Sequence, residues 1–106
     1  MPLSPKQRQF LRGLAHSLKP VIIIGQQGLT PNVKNEIEQA LSHHELIKLR
    51  VNAADRTQRR EMIAAIAAEA NAEIVATIGH IVALYRMNPE KPKIQLEPIS
   101  KRSERR

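Results

Sequence analysis

The stretch Val21-Ile22-Ile23-Ile24-Gly25-Gln26-Gln27-Gly28-Leu29-Thr30-Pro31-Asn32 limits the fold more than any other part of the chain. β-Branched side chains lose rotamer freedom in a helix and pack well on a pleated sheet, so Val21–Ile24 predicts a strand. The run holds no polar residue, and such a strand is expected to be central or buried on both faces. Thr30 followed by Pro31 is a helix start: the hydroxyl caps a free N–H, and proline already has the φ of the first helical position. Strand, tight loop and helix must therefore follow one another closely. The loop has glycine at both ends, and each can take φ > 0 or admit a second backbone at close range. The N–H groups of the new helix's first turn lie at the positive end of its dipole, a natural seat for a phosphate.

Two readings of that loop stay open on these residues: a βα turn whose glycines serve geometry, or an anion cradle. It is not a Walker loop, which needs Lys-Ser/Thr after its last glycine where this chain has Leu29-Thr30. Nor is it the dinucleotide fingerprint, which needs three glycines where only Gly25 and Gly28 are present. What is left is a GxxG loop, the device with which KH-type modules clamp a single-stranded nucleic-acid backbone.

The rest of the chain supplies elements around this unit. Ser4-Pro5 opens a first helix whose buried stripe is expected to be Phe10, Leu11, Leu14 and Leu18, with Lys6, Arg8 and Arg12 facing solvent. Pro20 ends it, with Lys19 just before the strand. A second helix runs from about Pro31 to Ser42. Leu46–Val51 alternates as a strand with Ile47, Leu49 and Val51 inward. Asp55 with Gln58 resembles a capping box, so a third helix should run from near Arg56 to about Ala70. Arg56, Arg59 and Arg60 sit in its first turns, where the helix dipole disfavours cations; that misfit points to another use for them. Glu73–Ile78 and Ile81–Arg86, separated by Gly79-His80, read as a hairpin with a type II′ turn. The order is α-β-α-β-α-β-β. If the first two strands are parallel, Gly25–Gly28 and Asp55–Arg60 emerge on the same rim.

A chain of 106 residues makes one domain with a modest core. That domain is expected over residues 1–87. Residues 88–106, broken by Pro89, Pro92 and Pro98, are expected as an extended, partly disordered basic tail. No apolar run is long enough to span a bilayer, the start Met1–Lys6 lacks an apolar signal segment, and cysteine is absent; these fit a cytoplasmic protein. The formal charge of +7 is sorted into patches: residues 1–29 hold four bases and no acid, residues 46–60 five bases against Asp55, and residues 101–106 four against Glu104. Patched base is how a nucleic-acid footprint looks.

Several separated blocks bring a family into view. Lys6–His16, Val21–Thr30, Ile37–Leu41, His43–Lys48, Ile78–His80 and Leu84–Arg86 together resemble the CRM domain (chloroplast RNA splicing and ribosome maturation), and more narrowly its bacterial YhbY-like RNA-binding proteins. The resemblance covers about residues 3–87. It implies a two-layer α/β sandwich with a four-stranded mixed sheet, similar to the C-terminal domain of translation initiation factor three. It also implies RNA binding without catalysis, and association with precursors of the large ribosomal subunit. The loop positions it matches are Gly25, Gln26, Gln27 and Gly28. Many members carry a basic residue within this loop, whereas both central positions here are glutamine. The electrostatic work then falls to Lys6, Arg8, Arg12, Lys19, Arg56, Arg59 and Arg60.

Other chemistries find less support. With one phenylalanine, Phe10, expected in the core, and one tyrosine, Tyr85, the chain offers no aromatic stacking platform, so backbone and shape recognition is the mode left. His43-His44 has no cysteine or carboxylate pair arranged beside it for a metal, and a helix C-terminus explains histidine there. No nucleophile context surrounds Ser4, Ser17 or Ser42. The expectation is a monomeric, non-enzymatic RNA-binding domain with no cofactor, metal, membrane or small-molecule substrate. The alternatives are a protein that docks on the ribosome mainly through other proteins, and a small phosphate- or nucleotide-binding protein using Gly25–Gly28.

Overall fold

Helix caps set the element boundaries. The computed structural model describes residues 3–94 and 96. Ser4 and Gln7 form a reciprocal capping box at the start of α1, Pro5–His16. Thr30 Oγ1 accepts the Val33 N–H at the start of α2, Pro31–His44. Asp55 accepts the Gln58 N–H at the start of α3, Arg56–Ala70, while the Gln58 side chain reaches one residue further back, to the Ala54 N–H. The strands are β1, Pro20–Ile24; β2, Leu46–Val51; β3, Glu73–Ile78; and β4, Ile81–Tyr85. Gly79 takes φ 59° in the β3–β4 turn and His80 keeps a negative φ, the type II′ pattern.

The sheet runs β1-β2-β4-β3, with β1 parallel to β2 and the other pairs antiparallel. It is therefore an α/β fold with three helices and a four-stranded mixed sheet. Its main core lies under α2 and α3, where Ile22, Ile24, Ile47, Leu49, Val51, Val82 and Leu84 meet Ile37, Leu41, Ile63 and Ile66. A second cluster on the opposite face joins Leu11 and Ala15 of α1 to Leu46, Val75, Ala83 and Tyr85. The expected two layers hold only where that face stays open, near the carboxyl ends of β1 and β2. Over the other half α1 adds a third layer.

Two local expectations change. β1 is an edge strand: Ile22 and Ile24 enter the main core, but Val21 and Ile23 are 53% and 65% exposed. Apolar composition tracks a strand here without fixing its neighbours, because α1 covers too little of the sheet to reach them. Of the expected stripe on α1, Leu11 is fully buried while Phe10, Leu14 and Leu18 are exposed in part, and Ala15, one turn on from Leu11, completes the buried pair.

The chain after β4 stays attached well past residue 87. Glu45, which ends α2 at φ 69°, is fully buried, and its carboxylate accepts N–H groups from Asn88 at 2.7 Å, Lys93 at 2.9 Å and Ile94 at 2.7 Å. Ile94 and Leu96 pack on the α1 cluster. Burial, with the Glu45 carboxylate nearby, raises the Tyr85 phenol above its ordinary value. The rest of the expected tail, Gln95 and residues 97–106, lies outside the described residues.

Arg86 ties three segments together. It forms a bidentate pair with Glu38 at 2.9 and 2.8 Å and donates to Ala70 O, the last carbonyl of α3, and to Ser42 Oγ. That guanidinium holds the Glu38 carboxyl below its usual range.

Candidate nucleic-acid interface

The parallel pairing of β1 with β2 brings the loop after β1 and the helix after β2 to one rim. Three contacts tie the rim together. The Asn52 N–H donates to Ile24 O at 2.9 Å, the Val51 N–H donates to His80 O at 2.7 Å, and Met62 Cε of α3 lies 4.0 Å from where a Cβ on Gly28 would stand. The glycine loop, the first turns of α3 and the Gly79-His80 turn thus share one end of the molecule.

The loop itself is a turn closed by the Gly28 N–H donating to Gly25 O at 3.1 Å, with the Gln26 and Gln27 amides exposed at its tip. Only Gly28 uses the left-handed region, at φ 73°; Gly25 has neither positive φ nor any neighbour that a Cβ would meet. The start of α2 is also less open than its sequence implies. Pro31 has no N–H, Thr30 caps Val33 and the Lys34 N–H bonds Thr30 O, which leaves Asn32 as the first-turn donor without a partner among the described residues.

The basic residues divide by position. Arg56, Arg59 and Arg60 border a cleft of about 460 Å³ between α3 and the β3–β4 hairpin, and Arg59 Nη1 lies 3.4 Å from His80 Nδ1. These three stand on the rim with the loop. Lys19 does not: it precedes β1 and Gly25 follows it, so at about 3.3 Å per residue the two are about 20 Å apart. Arg12 lies on the other face of the sheet, beside Lys48, Ile78 and Ile81. Lys6 stands about 120° round α1 from Arg12 at 3.6 residues per turn. Arg8 is half-buried, with its Nε enclosed and unpartnered among the described residues. Two bases went unread in the sequence as site residues, Lys48 and Arg50. Their outward alternation in β2 was the available signal, and Arg50 Nε donates to Asn52 Oδ1 on the rim at 3.2 Å.

Fold and rim together define a small α/β domain that presents a glycine-turn loop beside an arginine-lined helix start. The family model of the CRS1/YhbY (CRM) domain matches residues 3–86, and the chain belongs to that family. It is 56% identical over 94 residues to an RNA-binding protein of Haemophilus influenzae, covering 89% of this chain and 94% of the relative. It is 39% identical over 101 residues to a probable RNA-binding protein of Pseudomonas aeruginosa, covering 95% and 96%. Among solved structures, it matches the solution structure of the Staphylococcus aureus protein SAV1595, a candidate RNA-binding protein. That match has a TM-score of 0.78 at 32% identity, over 90% of this chain and 99% of the other.

Proposed function

We propose that this chain binds RNA at the rim and serves in assembly of the large ribosomal subunit. The observation that carries the reading is the placement of Gly25–Gly28 against Met62 of α3, with Arg56, Arg59 and Arg60 at the same end of the molecule along the cleft between α3 and the β3–β4 hairpin. A turn with no side chain at Gly28 lets a sugar–phosphate backbone approach, the Gln26 and Gln27 amides and the Asn32 N–H donate to its oxygens, and the arginines neutralise its charge. Relatives named for RNA binding support the ligand class, and ribosomal RNA of the large subunit is what the sequence resemblance to the YhbY-like proteins implies. Recognition is of backbone and shape at this rim. Arg12 and Lys19 stand outside the clamp.

The test is affinity for large-subunit ribosomal RNA fragments across a salt series, native against Gly28→Asp. Any L side chain is strained at φ 73°, aspartate less than most, so the thermal midpoint should drop by a few degrees and the variant stay folded at the assay temperature, while the added carboxylate repels phosphate. Binding should fall about tenfold or more. Equal affinity and equal salt slope would reduce the loop to a plain turn.

A further inference from the structure

The sheet face that carries α1 is open at its rim end, and the strand register organises what it exposes. Ile23 pairs with Arg50, Arg50 with Ile81, and Ile81 with Ile78, making one row across all four strands. The row alternates with Ile24, Val51 and Val82, which point into the opposite core. Ile23 is 65% and Ile78 71% exposed, a cost in water that the fold does not require. In the next row Lys48 pairs with Ala83, and Ala83 with Ala76. Arg12 and His16 of α1 wall this row into a cleft of about 700 Å³, and no carboxylate among the described residues lines it.

The chemistry of the occupant follows from the mixture. A protein partner's apolar face would match the isoleucines but would strand Arg50, which sits between Ile23 and Ile81. A duplex would satisfy the cations but hides its base faces in the stack. An unpaired strand offers both flat apolar faces and a phosphate at every step. Arg50 gives its Nε–H to Asn52 and keeps its terminal N–H groups unpartnered among the described residues, and Lys48 gives one N–H to Leu18 O at 3.1 Å and keeps two.

We propose that the open sheet face takes the bases of an unpaired RNA segment, against Ile23, Ile78 and Ile81, with Arg12, Lys48 and Arg50 on its phosphates. The inference rests on the RNA-binding reading above and adds a second surface to it, on the α1 face of the sheet, which begins at Ile23 two residues before the glycine loop and runs away from it across Arg50. Aliphatic contact discriminates weakly among bases, so the face selects single strands over duplexes rather than one sequence over another.

The probes are a short oligouridylate and a strand of equal length made abasic through its middle. Native protein should bind the intact strand about fivefold more tightly, less than an aromatic platform gives. Ile23→Ser/Ile78→Ser should lose that preference and keep the native salt slope and thermal midpoint, since both side chains are mostly exposed. On the native chain, cross-links from 4-thiouridine, located to the single residue, should fall on Ile23 or within Ile78–Ile81. Equal native affinity for both strands, a retained preference in the double variant, or cross-links confined to Gly25–Gly28 and α3 would overturn this inference and leave the rim reading standing. Failure of native protein to bind either strand or the ribosomal fragments would overturn both.

Discussion

Gly25 and Gly28 are the same residue type three positions apart, and the chain uses them differently. Gly28 sits at φ 73°, where an L side chain is strained whatever the space around it; Gly25 sits in an ordinary conformation with open space beside it. Gly28→Ala should therefore lower stability by about 1 kcal/mol, and Gly25→Ala should leave it unchanged or slightly raised. Urea unfolding of the two variants checks this directly. If Gly28 is also where a phosphate backbone comes close, its variant should lose RNA affinity as well, while Gly25→Ala should lose much less. The sequence showed two equivalent glycines because a backbone angle leaves no trace in residue type. Glu45 is the converse case, since nothing in its spacing marks a buried carboxylate at φ 69°.

That carboxylate decides how the last described segment relates to the folded body. Glu45 Oε1 accepts from Lys93 and Ile94, and Oε2 accepts from Asn88, so both oxygens are needed. Glu45→Gln keeps the shape but replaces one acceptor by a donor that faces an N–H. Stability should fall by about 1–3 kcal/mol, and amide exchange of residues 88–94 should speed up more than that of β2 or β4. Equal acceleration everywhere would mean the segment unfolds only with the core. Arg86 and Glu38 join α2 to the end of α3 more weakly, because the Glu38 side chain is 55% exposed. The Glu38 carboxyl is lowered first by its hydrogen bonds from Arg86, so its contribution is complete above the ordinary carboxylate range and is lost as pH falls through the lowered value. The stability difference between native and Glu38→Gln should stay below about 1 kcal/mol at neutral pH and vanish in acid. The element order was legible because Ser4, Thr30, Asp55 and Gly79 each mark a boundary locally. The edge position of β1 and the partial cover of α1 were not, since both depend on what lies across the sheet.

At the scale of the whole molecule, the question is whether RNA answers to the total charge or to one end of the fold. The sequence supports the first view equally well: the formal charge is +7, and Lys19 lies six residues from the loop. The parallel β1–β2 pair separates the possibilities by sending Lys19 to the far end of the strand, about 20 Å from Gly25, while Arg60 stays on the rim. The screening length at physiological salt is about 8 Å, so a cation 20 Å away contributes little to a phosphate held at the loop. Lys19→Gln and Arg60→Gln remove the same charge and leave the same net charge. If the overall field governs binding, the two variants should weaken it alike. If the rim governs it, Arg60→Gln should shrink the slope of log affinity against log salt by about 0.7 for a single strand, and Lys19→Gln should leave it close to native. Titrations with a ribosomal RNA fragment at several salt concentrations distinguish the two, and equal losses would return the rim to being one patch of a generally basic surface.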